Sequence, residues 1–457
     1  MRSASDSCDH TSRRGHVAAT VVTGVLQAPA LRLVPGGPIG GALRAPASKS
    51  VTNRALIVAA LASGTSVLHA ALDSDDSRAM RRCLTALGAR FVVDGGPWQV
   101  HGTGGRIGSA PEPLHAQLSG TTARFVTAVL ALSDGGGVVT GAPPLRRRPI
   151  GPLVDALRTL GAKAEDTDGG LPVRLGGGGI AGGVVEVDVA GSSQFASAVL
   201  LAAPYAQTDV TCRWRGTAAT DYIALTVELM RRWGADVRSV PSGWVVRAGA
   251  GYRPRVETIE YDASAAAHLY ALAAATGGTV TVTNPAPTRQ PDAGAVAVFE
   301  ALGCTVTDDD GAVAVRGPSQ LRPIDVSLAA MPDQVTTFAT LAALAPGTSV
   351  LREVGVARLH ETDRLSALAT ELGRLGVEIA AARDSLTVHG GSAAGPARLQ
   401  TYDDHRLAMA FAAVGLAIDG VTIADPGCVA KTYPRFWDDL RALGGRVAVA
   451  DEGEVRR

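Results

Sequence analysis

The feature that most constrains this chain is a phrase that returns six times. An apolar helical stretch ends in Leu-Gly or Trp-Gly and runs into a short β-branched segment. It reads ALGARFVV at Gly88, TLGAKAE at Gly161, RWGADV at Gly234, ALGCTV at Gly303, RLGVEI at Gly376 and ALGGRVAV at Gly444. Successive glycines lie 73, 73, 69, 73 and 68 residues apart, the signature of a repeated supersecondary unit. Upstream of each glycine stands a strand signal (TSVLHA, GVVTG, DVTCRW, TVTVTN, TSVLREV, VTIAD), and before that an Ala-rich helix such as NRALIVAALASG or HRLAMAFAAVGLAIDG. Each unit therefore reads helix, strand, helix, strand, with further strands in the remaining residues. The glycine after each second helix suits a left-handed C-terminal cap.

A chain of 457 residues exceeds one ordinary core, and six units divide naturally into two domains of three. The class is α/β, yet no dinucleotide fingerprint is present, and the glycine run at 176–179 reads as a loop. Hydrophobic residues make up 46% but aromatics only 4%, so the interior must be built from Ala, Val and Leu in closely packed helices and sheets. Lys+Arg and Asp+Glu both number 43. No global charge advertises nucleic acid or an anionic membrane, and anion recognition must be local. Five scattered cysteines without a CxxC spacing indicate neither a disulfide framework nor a zinc site. No apolar run reaches the roughly 18 residues of a spanning helix. The first 29 residues are expected to form a disordered tail and the protein to be soluble and cytoplasmic.

Polar residues collect at the predicted helix starts. The first helices open on Ser48-Lys49-Ser50 with Arg54, on Ser119-Gly120-Thr121 with Arg124, and on Ser192-Ser193-Gln194. The later ones open on Asp262, on Pro332-Asp333-Gln334 and on Asp403-Asp404-His405-Arg406. Second helices are expected near Asp75-Asp76, Arg148-Pro149, Asp221-Tyr222, Gln290-Pro291, Glu361 to Arg364, and Lys431. Capping explains the Ser, Thr and Asp residues. It does not explain Lys49, Arg54, Arg124, Arg148, Arg364, Arg406 and Lys431, because cations at helix N-termini oppose the macrodipole. Their placement makes sense if a phosphate or carboxylate binds among them. Since they come from both halves of the chain, the ligand is expected to bridge two domains.

Here the residues resemble a known family. PASKSVTNRAL (46–56), SDDSRAM (74–80), SGTTARF (119–125), RRRPIGPLVDALRTLGA (146–162), GSSQFASAVLLAAP (191–204), HETDRLSAL (360–368), TYDDHRLAMAF (401–411) and DPGCVAKTYPRFW (425–437) are similar, in order, to the signatures of EPSP synthases. The resemblance implies an enolpyruvyl transferase fold of six βαβαββ units, three per domain, with residues 30–46 plus 261–449 in one domain, 47–260 in the other, and 450–457 a tail. It implies transfer of the enolpyruvyl group of phosphoenolpyruvate to the 5-hydroxyl of shikimate 3-phosphate through a tetrahedral intermediate, with no metal or cofactor, by a monomer without nucleic-acid or membrane partners. Carried over by motif, phosphoenolpyruvate would meet Lys49, Gly120, Arg148, Gln194, Arg364, Arg406 and Lys431. Shikimate 3-phosphate would meet Lys49, Ser50, Arg54, Ser192, Ser193, Gln194, Tyr222, Asp333 and His360. Glu361 would be the acid and base at the methylene carbon, Asp333 the base for the hydroxyl, and Lys49 a further catalytic group.

Four positions depart from that pattern. Leu118 stands for a usual Asn, Ala219 for a Ser that holds the acceptor phosphate, Val356 for an Asn and His360 for a Lys. Thr220 offers a substitute hydroxyl. These departures keep open a specialised relative that uses another cyclic alcohol, and, from a different class, a catalytically silent binding protein. The related transferase acting on UDP-N-acetylglucosamine is disfavoured, since Pro143 stands where it carries Cys or Asp.

Overall fold

The protein was analysed as a computed structural model, in which residues 26–216, 220–283 and 288–450 are described. Most of both expected tails, and Ala219, lie outside the described residues. Residues Leu26 to Pro29, assigned to the tail by sequence, are instead part of the fold. Ala28 is buried, and the Pro29 carbonyl accepts the Asp425 amide at 3.0 Å.

The repeat becomes six four-stranded sheets. In one of them Ala110–His115 runs parallel to Gly137–Thr140, which pairs antiparallel with Gly170–Leu175, which pairs antiparallel with Ala164–Thr167. The other five repeat this order, one parallel pair followed by two antiparallel steps. A βαβ crossover demands a helix between parallel strands, and a hairpin closes the unit. The six recurring glycines all have φ between 80° and 109°, where a side chain would be strained.

Helices of two kinds fill each unit. The first kind is buried all round. Every residue from Val51 to Leu61 is inaccessible, as is every residue of Gly120–Leu130 and His405–Leu416. Such helices belong inside a lobe rather than on it, and their Ala-rich surfaces let them approach one another closely. The second kind is amphipathic: Asp75–Ala86 buries Ala79, Met80, Cys83 and Leu84, and also Asp76 at its first turn, while Arg78 and Arg82 are not among its buried residues. Sheets and amphipathic helices thus wrap a bundle of apolar helices.

Two separate hydrophobic cores result. One gathers residues between Val51 and Ile259, the other residues 28–45 together with 261–443. The chain passes between the lobes twice, side by side. Ala47 and Tyr261 form an isolated bridge, the Ser48 amide donates to Glu260 O at 2.8 Å, and the Asp262 amide to Pro46 O at 2.8 Å. Segments beyond the crossings complete distant sheets: Gly40–Leu43 joins Thr279–Thr283, and Val256–Thr258 joins Thr65–His69. No helix among the described residues is long and apolar enough to cross a membrane.

Candidate active site

The buried helices begin at the cleft between the lobes. Ser48, Ser119, Asp262 and Asp404 each cap a helix with a side-chain oxygen, a bond whose loss costs about 1 kcal/mol. The remaining free N–H groups and helix dipoles give the cleft a positive cast before any side chain is counted.

One part of the cleft is rich in hydroxyls. It is lined by Lys49, Ser50, Arg54, Ser192, Ser193, Gln194, Tyr222, Asp292, Asp333, Val356 and His360 around about 580 Å³ of space. Arg54 is almost wholly buried, between the rings of Phe125 and Tyr222 at 5.3 and 5.7 Å. Its Nε donates to Thr226 Oγ1 at 2.7 Å and its Nη1 to Ser50 O at 3.1 Å. No carboxylate among the described residues pairs with it. Burial pulls its pKa down to about 10, so the group remains a desolvated cation at neutral pH.

The adjoining part is rich in charge, lined among others by Lys49, Gly120, Arg124, Arg148, Gln194, Glu361, His405 and Arg406. Glu361 is its hub. Its Oε1 lies 2.8 Å from Lys431 Nζ and 3.4 Å from Arg148 Nη1, and its Oε2 2.9 Å from Arg364 Nη2. Burial opposes ionisation of Glu361, but Lys431, Arg148 and Arg364 outweigh it and hold the carboxyl well below its ordinary range. Asp333 is similar: burial is overcome by Arg406, His360 and Arg364, with Arg406 Nη2 at 2.9 Å. Arg124 resembles Arg54. It donates to Ser192 Oγ at 3.1 Å, Gln194 Oε1 at 2.9 Å and Pro149 O at 3.1 Å, has no carboxylate partner among the described residues, and is depressed to about 9 by burial and then by Arg148. At Gly120 an added Cβ would sit 2.9 Å from Arg148 Nη1, so a side chain there would push the guanidinium aside.

The residues expected on the acceptor side all line the first cavity. Those expected on the donor side divide. Lys49, Gly120, Arg148, Gln194 and Arg406 line the second cavity, and Lys431 pairs with Glu361 of its own lobe while donating across the cleft to Leu118 O at 3.1 Å. Arg364 is fully buried behind them. Its donors are taken by Asp404 (2.7 and 3.1 Å), Asp333 (2.6 Å), Glu361 and His360, so here it clamps carboxylates and presents no surface to a ligand. Thr220 does not line the acceptor-side cavity, whereas Val356 and His360 do.

The expectation that all seven cations open helices needs correction. Lys49, Arg364 and Arg406 lie in first turns, Arg54 and Arg124 in second turns. Arg148 precedes the helix Gly151–Thr159, and Lys431 ends a 3-10 turn before Phe436–Ala442. Residues given no role by sequence also belong here. Asp404 holds Arg364, Asp76 lies 3.7 Å from Lys49, and His405 is buried with neither ring nitrogen hydrogen-bonded among the described residues, its Nδ1 3.8 Å from Asp404 Oδ1. The acid-rich strings SDDS and TYDDHR were their only signal.

Residues 33–440 match the family EPSP synthase (3-phosphoshikimate 1-carboxyvinyltransferase). Relatives named 3-phosphoshikimate 1-carboxyvinyltransferase include one from Nostoc punctiforme, 40% identical over 88% of this chain and 95% of its own. One from Syntrophobacter fumaroxidans is 41% identical over 89% and 98%, and one from Escherichia coli 40% over 90% and 98%. Among solved structures, an EPSP synthase from Acinetobacter baumannii is similar in fold, with a TM-score of 0.78 at 24% identity over 92% of this chain and all of that one. The enolpyruvyl transferase NikO from Streptomyces tendae superposes with a TM-score of 0.74 at 20% identity, over 92% and 98%.

Proposed function

We infer the chemistry from one premise: this chain belongs to the EPSP synthase family. It is an enzyme of the shikimate pathway, transferring the enolpyruvyl group of phosphoenolpyruvate to the 5-hydroxyl of shikimate 3-phosphate and releasing phosphate. The observation that carries the reading is the pair of desolvated guanidinium groups, Arg54 and Arg124, each without a carboxylate partner among the described residues. Two buried cations of this kind call for two anionic ligands.

Phosphoenolpyruvate takes the charge-rich cavity, its acidic groups meeting Lys49, Arg148, Arg406 and Lys431, with Gly120 and Gln194 beside them. Shikimate 3-phosphate takes the hydroxyl-rich cavity, against Ser50, Arg54, Ser192, Ser193, Tyr222 and His360. Asp333 removes the proton of the acceptor hydroxyl while Glu361 gives one to the methylene carbon. The new C–O bond makes the tetrahedral adduct; Glu361 then recovers a proton from the methyl group as the C–O bond to phosphate breaks. The ion pairs of Glu361 fit this cycle. Held ionised by Lys431 and Arg148, it loses part of that hold when phosphoenolpyruvate engages the same cations, and its proton affinity rises when an acid is needed. Arg364 is read as the support that aims both carboxylates.

The two domains are assigned to residues 26–46 plus 261–450, with Ala28 and Ala450 buried, and to 47–260, hinged at the paired crossing. The enzyme is read as a cytoplasmic monomer whose reaction, as written, needs no metal or organic cofactor. The test is phosphate release from phosphoenolpyruvate with shikimate 3-phosphate and a panel of its analogues. Saturable turnover of shikimate 3-phosphate is expected. Turnover of an analogue alone would reassign the acceptor, a reading that Val356 and His360 in the acceptor cavity would then explain.

A further inference from the structure

The turn Gln290-Pro291-Asp292 has no place in the mechanism above, yet it carries two dense groups of hydrogen bonds. Asp292 is buried at 1% exposure and borders the acceptor cavity. Its Oδ2 accepts from Tyr222 Oη of the other lobe at 2.6 Å. Its Oδ1 accepts from Ser264 Oγ and from Gln334 Nε2, the latter at 2.8 Å. No cation forms an ion pair with it among the described residues. Burial and the neighbouring Asp333 raise its pKa, while three donors favour the carboxylate.

The partners define what such a carboxylate can do. Tyr222 is one wall of the acceptor cavity, and Gln334 ends the short turn that carries Asp333. Two residues earlier, buried Gln290 accepts from Ser48 Oγ at 2.7 Å and donates to Glu260 Oε1 at 3.0 Å and to Tyr261 O. These groups belong to the two crossing strands. One rigid three-residue turn therefore grips the hinge at one end and both walls of the acceptor cavity at the other.

We propose that Asp292 is a positioning residue for the acceptor, latching Tyr222 to the Asp333 turn across the lobes and, through Gln290, coupling that latch to the hinge. The kinetic half rests on the acceptor assignment above; the hinge half does not. The carboxylate accepts from all three partners at once. An Asn keeps one accepting oxygen and turns an N–H to a hydroxyl, so the contact to Tyr222 or Ser264 is reversed and loses its charge assistance.

The experiment is a double-mutant cycle with Tyr222→Phe and Asp292→Asn. Each single variant should raise KM for shikimate 3-phosphate about tenfold, as expected for a lost charge-assisted hydrogen bond. KM for phosphoenolpyruvate should stay within about twofold, and the double variant should be no worse than either single one. Multiplying effects in the double variant, or parallel rises in both KM values, would overturn the latch. Tyr222→Phe, which removes one oxygen atom, keeps the test readable if Asp292→Asn folds poorly. In the ligand-free proteins, amide exchange at Ser48 and Asp262 should accelerate in both single variants; unchanged exchange there defeats the coupling to the hinge. A wild-type enzyme inactive on shikimate 3-phosphate would instead remove the acceptor assignment and leave the exchange result standing.

Discussion

The two ends of the cleft solve the problem of holding an anion in opposite ways. At the donor end the three cations that touch Glu361 are already engaged, with Lys431, Arg148 and Arg364 all within 3.4 Å of that carboxylate, and Arg124 beside them is the one left without a carboxylate partner among the described residues. At the acceptor end Arg54 is buried among a hydroxyl, backbone carbonyls and two aromatic rings, with no counter-charge among the described residues. Binding at the donor end largely exchanges one anion for another. At the acceptor end it relieves a desolvated charge. The donor end should therefore be tolerant in affinity but exacting in catalysis, and the acceptor end should trade fold stability for binding.

The largest expected effect separates these roles. Glu361→Gln keeps the shape but removes the proton carrier, so kcat should fall by about 10²–10⁴. Phosphate release on mixing with both substrates measures it, and an unchanged rate would remove Glu361 from the mechanism. Next comes a contrast of sign in stability. Arg364→Met leaves the buried Asp404 without its arginine and loosens Glu361 and Asp333, which keep Lys431, Arg148 and Arg406, and should cost about 3–5 kcal/mol in denaturant unfolding. Arg54→Met removes an uncompensated charge, so its unfolding midpoint should rise. Its KM for shikimate 3-phosphate should nevertheless climb on the order of 50-fold, the cost of a hydrogen-bonded charge pair. If both variants are destabilised alike, the distinction between the two ends collapses.

The sequence made some of this legible and hid the rest for identifiable reasons. Each Leu-Gly or Trp-Gly marks a place where a left-handed residue continues from helix to strand, so the six units and their spacing could be read directly, while the βαβαββ make-up of a unit came only through the resemblance. The anion site was legible because Lys49, Arg364 and Arg406 sit where the macrodipole disfavours them. Arg148 and Lys431 were misplaced by a few residues because proline intervenes. Pro149 and Pro434 disfavour helical backbone in the residue before them, and the helices start later, at Gly151 and Phe436. What no local pattern reveals is pairing across the chain. Asp404 meets Arg364 from 40 residues away, in the next unit of the same lobe, and Asp292 meets Tyr222 from 70, a contact that exists only once the two lobes are assembled. Burial of Arg364 is hidden in the same way, since an arginine opening an amphipathic helix normally faces solvent.

The smallest effect concerns His360, the departure that bears most directly on the acceptor end. Its Nδ1 lies 3.1 Å from Asp333 Oδ1 and 3.0 Å from Arg364 Nη1, so one nitrogen faces both a carboxylate and a cation. Burial lowers its pKa, Asp333 and Glu361 raise it and Arg364 lowers it, with a net shift below the ordinary value. Lys49, Arg54 and Asp292 share its cavity. The ring is therefore mainly neutral above pH 7 and gains charge as pH falls, adding a cation to the acceptor site. A bound phosphate dianion raises the ring's proton affinity, so proton uptake on binding should lower KM for shikimate 3-phosphate by up to about threefold between pH 8 and 6.5. His360→Lys, charged throughout, should flatten that profile and lower KM at pH 8. The consequence for stability has the opposite sense. For a buried histidine with a depressed pKa the unfolded chain binds more protons, so its stabilising contribution is present above about pH 6.5 and declines as pH falls below it. His268 and His405, both held well below the ordinary value by burial and nearby cations, act in the same direction. Acidification toward pH 6 should thus improve acceptor binding while lowering the unfolding midpoint. A flat acceptor KM in the wild type would mean that His360 takes no proton on binding and that the acceptor end works with Arg54 and Lys49 as its only cations.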